Sequence, residues 1–397
     1  SAGGPGAVFW MWVSALIGMA TAFAECALAQ LYKERDEHNQ FRGGPAWYIT
    51  RGLGMRWMGI VFALFLLLVY GLIFNTVQSN AVVHALRYAW EIPELLSGLL
   101  LATATLLAIM LGIRGVARIM QWLVPIMTLI WVLASLLISA WHVEQLPGIA
   151  STIFRCAFGW HEAAAGALGY TVSQALTSGF QRGMLSNEAG MGTTPNAAAA
   201  AASWPPHPAA QGIVQMIGVF TDTIIVCTAS ALIVLLANES AAHTPLNGIE
   251  LVQQAMVSLT GSWAAGFVAV ITVLFAFSTI VVNYIYAENN LIFLRLHSKR
   301  NLWLMRAGTL LMVMIGSLLS LPMVWQLADV IMALCVSAGW GCGRCLIPSA
   351  IRRSNASWHP VRGTICQTAR LSIATIDQRR RFFCYSPFFA KVCANFP

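Results

Sequence analysis

Apolar runs of about 18 to 25 residues recur along this chain, near 7–30, 57–80, 95–113, 121–141, 163–180, 211–237, 263–290 and 303–322, with a weaker ninth beginning near 327. A helix of that length crosses a hydrocarbon core of roughly 30 Å, whereas a barrel strand needs about half as many residues. A segment in lipid must satisfy its own backbone, which a helix does. With 58% hydrophobic and 10% charged residues, the 397-residue chain cannot dress a soluble globule in polar side chains, since soluble domains carry about a quarter charged residues. The sequence therefore predicts an all-α polytopic membrane protein. Short turns such as Glu91-Ile92-Pro93 and Leu146-Pro147-Gly148 separate the spans, and no soluble domain intervenes.

Basic loops are retained on the cytoplasmic side of a membrane. If residue 1 lies outside, the inner segments hold Lys33, Arg35, Arg42, Arg51, Arg56, Arg114, Arg118, Arg182, Arg295, Lys299, Arg300 and Arg306, and the outer ones only Arg87 and Arg155. The split of twelve to two puts loops 31–56, 114–120 and 291–306 in the cytoplasm. The excess positive charge lies elsewhere: residues 1–334 contain 14 basic and 14 acidic side chains, and residues 335–397 contain 9 and 1. That tail also holds six of nine cysteines. Cys342-Gly343-Arg344-Cys345 has zinc-ligand spacing and Arg379-Arg380-Arg381 is a basic run, but no second cysteine pair accompanies them. The apolar run from Leu327 loses its character abruptly at Cys335, as an unrelated or out-of-frame terminus would. The expectation is a partial transmembrane domain over 1–334, a tail over 335–397 that is no functional domain, and no nucleic-acid partner. Residues 1–6 show neither a start methionine nor a signal peptide, so the chain reads as part of something longer.

Polar groups at membrane depth are costly and mark function until a structural partner is found. They are densest at 179–196, where Gly179, Gly183, Gly190 and Gly192 permit backbone shapes that a regular helix excludes. Open helix ends there would offer N–H groups to a carboxylate and C=O groups to a cation. The same residues equally fit a cytoplasmic loop in which Asn187 and Glu188 cap the next helix. Gln78 sits among Asn75, Thr76, Ser79, Asn80 and His84; its amide can both donate and accept, toward a ligand or toward another helix. Ser278 and Thr279 are hard-oxygen ligands for an alkali cation or, as is common in membrane helices, donors to their own backbone. Glu25 and Asp222 are further carboxylates at membrane depth. There is no HExxH, GxSxG or P-loop, and the histidines are dispersed, so the sequence predicts neither an enzyme nor a resident cofactor.

Residues 3–30, Gly43-Gly44-Pro45, Ser186-Asn187-Glu188-Ala189-Gly190-Met191-Gly192, and His207-Pro208 through Gln211-Gly212 resemble the alanine or glycine:cation symporter family of bacterial transporters. The resemblance covers roughly residues 1–334. It implies a leucine-transporter-like inverted-repeat fold, with eight or nine transmembrane helices present here and the first core helix missing. It also implies sodium-driven uptake of alanine or glycine through the bacterial inner membrane, with sodium as co-transported cation and oligomeric state left open. Gln78, Phe180, Met184, Asn187 and Asn283 would face the substrate, and Ser278 and Thr279 a sodium ion. Gly183, Ser186, Glu188, Gly190, Met191 and Gly192 would form the gate or helix break near the sixth core helix. Family members commonly carry tryptophan where Asn283 aligns, so the pocket wall differs. Two other expectations stand beside this one: an ion-conducting channel lined by the same polar residues, and a fragment that is inactive without the first core helix.

Overall fold

The computed structural model describes residues 3–36, 40–159, 168–204, 206–237, 247–333 and 335, which all belong to one unit, Ser1–Ile347. The CxxC pair and the arginine run of the tail lie outside the described residues. In chain order the helices are α1 (Gly6–Leu31), α2 (Pro45–Gly52), α3 (Arg56–Trp90), α4 (Glu94–Met110), α5 (Gly112–Trp141), α6 (Leu146–Phe158) and α7 (Leu168–Asn187). There follow α8 (Thr193–Ala200), α9 (Pro208–Leu236), α10 (Ile249–Thr260), α11 (Trp263–Phe293), α12 (Lys299–Leu318) and α13 (Leu321–Ala333). Six of them, α1, α3, α5, α9, α11 and α12, are long and apolar enough to cross a membrane, and α4 and α13 are shorter apolar helices. A two-stranded antiparallel hairpin, β1 (Glu34–Arg35) with β2 (Phe41–Arg42), follows α1.

Each expected span overlaps a helix, with shifted ends; residues 163–167 of the fifth lie outside the described residues, and its helix α7 is not among the six of membrane length and apolarity. Residues 114–120, expected as a loop, form the first turns of α5, because only Leu111 separates that helix from α4. Arg182, counted with the inner loops, lies inside α7, five residues before its end. Its Nη2 donates to Asp329 of α13 at 3.1 Å, and its guanidinium covers the Trp325 ring at 4.2 Å.

Two packing groups organise the helices. In the first, α1 packs against α6, α7, α8 and α9. Helices α1 and α7 run parallel, since Gly3 meets Ser178, Gly183 meets Ser14, and Gly18 meets Asn187. In the second, α3 packs against α4, α11 and α12. Helices α3 and α11 are antiparallel, as shown by Gly71 against Ala287, Asn75 bonded to Asn283, and Trp90 against Gly266. Close approach fixes the α3–α12 contact: Ser79 Oγ donates to Val313 O at 2.6 Å, and a Cβ on Gly316 would lie 2.5 Å from the Thr76 backbone. Gly316→Val is expected to lower the melting temperature of the purified protein, because backbone cannot yield as a side chain would; an unchanged melt would contradict this packing.

The loops also sort by end. At one end Gln30 Nε2 donates to the carbonyls of Ala198 and Ala201, Lys33 Nζ donates to Ala201 O at 2.9 Å, and Asn289 Nδ2 donates to Gly43 O at 2.8 Å. At the other, Trp10 Nε1 donates to Ala157 O, His84 meets Glu250 at 2.9 Å, and Gln253 Nε2 donates to Ala85 O. The hairpin, α2, α8 and the end of α11 thus share one face of the bundle.

Candidate substrate and cation site

Helix α7 runs unbroken through Gly179 and Gly183 and stops at Asn187; the break occupies residues 188–192. This corrects the expectation for Gly183. It lies on the face of α7 that touches α1, where a Cβ would stand 1.9 Å from Ser14 Oγ, so its function in the fold is close packing. Ser186 likewise lies in the last turn of α7 rather than in the break.

The break is held by side chains. Asn187 Oδ1 accepts from Ala189 N–H at 3.0 Å, and Glu25 of α1 accepts from Gly190 N–H at 3.2 Å. Gly190 and Gly192 have φ of 84° and 89°, and Glu188 adopts the left-handed region at 51°. For a residue with a Cβ that conformation costs of order 1–3 kcal/mol and persists only where the surroundings impose it. At the far side, Asn196 Nδ2 donates to Gly192 O at 2.6 Å, and Asn289 Nδ2 donates to Asn196 Oδ1 at 2.6 Å. Met191 is fully buried within this turn.

Two π-helical turns flank the break. One, Val69–Ile73 in α3, brings in Tyr70; the other, Phe220–Val226 in α9, brings in Asp222. A π turn adds a residue to the helical ladder and leaves carbonyls in need of donors. In α3 these are supplied by Asn75 Nδ2 to Tyr70 O and Gly71 O, at 2.9 and 3.1 Å, and by Thr309 Oγ1 to Gly71 O at 2.8 Å. In α9 the Asp222 carboxylate accepts from Ser186 Oγ and from Thr223 Oγ1. Glu25, Glu188 and Asp222 therefore surround one broken segment. Among the described residues, none of the three forms an ion pair with a basic side chain.

The other expected residues are distributed along α3, α7 and α11. Asn283 is buried and donates to Asn75 Oδ1 at 3.2 Å, so its amide supports the π turn. Ser278 and Thr279 both donate to Phe275 O, at 2.8 and 2.9 Å. That bond uses the hydroxyl proton and leaves the oxygen lone pairs free to face a cation. Gln78 is half-buried and makes no side-chain hydrogen bond among the described residues. Phe180 and Met184 are half-buried on α7, and the Phe180 ring lies 6.3 Å from that of Trp10. The α3–α11 register sets Thr279 level with Ser79, eight residues or ~12 Å along the helix from Gly71. The hydroxyl pair and the break are therefore separate places in the molecule. Tyr70, Thr193, Asn196 and Asn289, which the sequence did not single out, belong to the break.

The arrangement offers backbone polarity, amides, hydroxyls and carboxylates. Such groups bind and release a polar ligand. A model of the sodium:alanine symporter family matches residues 1–351. The chain is 64% identical over 333 residues to the uncharacterized transporter YaaJ of Escherichia coli strain K12, covering 84% of this chain and 70% of that protein. It is 44% identical over 332 residues to the amino-acid carrier protein AlsT of Bacillus subtilis strain 168, covering 84% and 69%. With the sodium/alanine symporter AgcS of Methanococcus maripaludis it shares 36% identity over 334 residues, covering 82% and 72%. The six membrane-length helices, the break after α7 and these matches together make the chain a multi-pass membrane transporter, not an enzyme, that belongs to the sodium:alanine symporter family.

Proposed function

We propose that the chain carries a small neutral amino acid, alanine or glycine, together with sodium across the bacterial inner membrane by alternating access. The observation that carries this reading is the broken segment at 188–192, enclosed by two π turns and three carboxylates without basic partners. Of the three, Glu25 is buried; a buried carboxylate without a counter-charge is costly, and a transported cation supplies that charge. The name of the archaeal relative, a sodium/alanine symporter, agrees with this reading. The scaffold in this account is the leucine-transporter-like inverted repeat, formed by residues 1–334, with the tail 335–397 outside the transport domain.

In this account Gln78, Phe180, Met184, Asn187 and Asn283 form the substrate pocket, and Ser278 and Thr279 hold sodium. Glu188, Gly190, Met191 and Gly192 form the hinge of the inner gate, with Gly183 and Ser186 on the helix that moves with it. The end bearing the hairpin and α8 faces the cytoplasm, and residue 1 faces outside. Coupling arises because sodium and substrate each favour the same conformation.

Gln78→Ala is expected to raise the KM for alanine about tenfold, which corresponds to about 1.4 kcal/mol, with the protein still inserted. Uptake kinetics in proteoliposomes check it; an unchanged KM would return Gln78 to a packing role. A channel lined by the same residues would instead conduct sodium without saturable amino-acid uptake.

A further inference from the structure

The start of α12 and the end of α4 carry cations and no acid. The chain has no Asp or Glu between Glu288 and Asp329, nor between Glu94 and Glu144, while Lys299, Arg300, Arg306 and Arg118 fall within these stretches. The stretches meet in space: α4 and α12 run antiparallel, since Gly98 meets Ser317 and Met110 meets Arg306. Lys299 and Arg300 are exposed in the first turn of α12, where the helix dipole disfavours positive charge and no acidic side chain offsets it. Arg42, Arg51, Arg87 and Arg182 each meet a carboxylate, but among the described residues Lys299, Arg300 and Arg306 form no ion pair.

Arg306 selects the partner. It lies seven residues, or ~10 Å, inside the start of α12. Its Nε donates to Tyr284 Oη at 3.2 Å, its Nη1 lies 3.2 Å from Met110 Sδ, and its guanidinium covers the Trp303 ring at 5.1 Å. Glu288, one turn from Tyr284 on α11, forms no ion pair with it. All three partners are neutral, so the positive charge stands unmatched. Long basic side chains near the end of a membrane helix lay their stems on apolar surface and aim their charge at the headgroup layer, where tryptophan also collects. Lys299, Trp303 and Arg306 share one face of α12 by their spacing of four and three. Beside that face, Leu304, Leu311 and Leu318 recur every seven residues and are 60, 59 and 61% exposed, and Leu107 and Met110 of α4 are 67 and 52% exposed. A basic cluster that continues into an apolar strip matches an amphiphile with an anionic head. A bare anion or a soluble acidic partner would use the cations and leave the strip untouched.

We propose that the crevice between the start of α12 and the end of α4 holds an anionic phospholipid, with its phosphate on Lys299, Arg300 and Arg306 beside Trp303 and its acyl chains along Leu304, Leu311 and Leu107. Both helices pack on α3, so the lipid braces the helix that carries Gln78. The site does not depend on which cargo the chain carries.

The test places the purified chain in nanodiscs of phosphatidylcholine with rising fractions of phosphatidylglycerol, and counts the lipids retained on release by native mass spectrometry. The unmodified chain is expected to retain phosphatidylglycerol over phosphatidylcholine. Lys299→Gln with Arg300→Gln, at exposed positions, and separately Arg306→Gln should each weaken that retention about tenfold and leave phosphatidylcholine unchanged. Arg155→Gln, an exposed cation of α6 at the other end of the bundle, should change neither. Retention of phosphatidylglycerol at the unmodified level in both α12 variants would overturn the site, whether or not Arg306→Gln lowers the melting temperature. An equal loss in Arg155→Gln would show general charge attraction instead of a site, and displacement of the lipid by an equal concentration of glycerol phosphate would show a bare anion site; either result overturns the proposal.

Discussion

Gly183→Ala is expected to abolish most uptake, and Ser14→Ala in the same chain to restore it. A Cβ at position 183 would stand 1.9 Å from Ser14 Oγ, far inside contact distance, while Ser14 Cβ and Met11 O lie at 3.2 and 3.3 Å. The hydroxyl cannot simply rotate aside, because Ser14 is buried and donates to Met11 O at 2.8 Å. The added methyl must then push α7 off α1, and overpacking of this kind costs about 1–3 kcal/mol. The displacement would reach the break at once, since Asn187 rests on Gly18 and Gly190 on Glu25 of the same α1. Deleting the hydroxyl leaves only contacts that small shifts relieve. Alanine uptake at matched surface expression and the melting temperature of each variant check this. A single Gly183→Ala variant with the unmodified melt and uptake would show that the α1–α7 contact is looser than described.

Asn289→Ala is expected to loosen the end of the bundle that carries the hairpin. Asn289 Nδ2 bridges Gly43 O and Asn196 Oδ1, at 2.8 and 2.6 Å, and Asn196 in turn holds Gly192 O. One amide thus joins α11, the turn before α2, and the start of α8. Its removal leaves two buried acceptors without donors, at about 1–3 kcal/mol for each. The expected result is faster hydrogen exchange in 43–48 and 192–197, together with a lower melting temperature and weaker alanine accumulation. Exchange at the unmodified rate in both segments would contradict the role of Asn289 as their shared partner.

The membrane spans were legible because an apolar run of membrane length admits few structures. The polar segment after residue 180 was legible for the converse reason, and so were Glu25 and Asp222 as carboxylates at depth. The π turns were not. A single added residue leaves the composition of Val69–Ile73 and Phe220–Val226 apolar, and the change of face it causes has no local signature. Tyr70 was consequently hidden in an apolar run, although its fully buried hydroxyl makes it a polar residue of the break. Asn196 and Asn289 stand 93 residues apart, and nothing in either neighbourhood announces the other. Gly183 did carry a usable signal. Its spacing of four from Gly179 puts both on one helix face, the pattern of close helix packing rather than of a break. Arg182 was taken for a loop residue because α7 is polar toward its end, and only Asp329 and Trp325 explain its place inside the helix. The short α2, α6, α8 and α10 lack the length that made the spans stand out.

Radiolabelled alanine uptake into proteoliposomes, with sodium replaced by choline outside in one arm and the sodium gradient collapsed by an ionophore in another, tests the central claim most directly. The account predicts saturable uptake that requires external sodium, accumulates alanine while the gradient lasts, and is lost when the gradient collapses. Uptake that proceeds equally in choline, or sodium conductance without any saturable alanine accumulation, would contradict it.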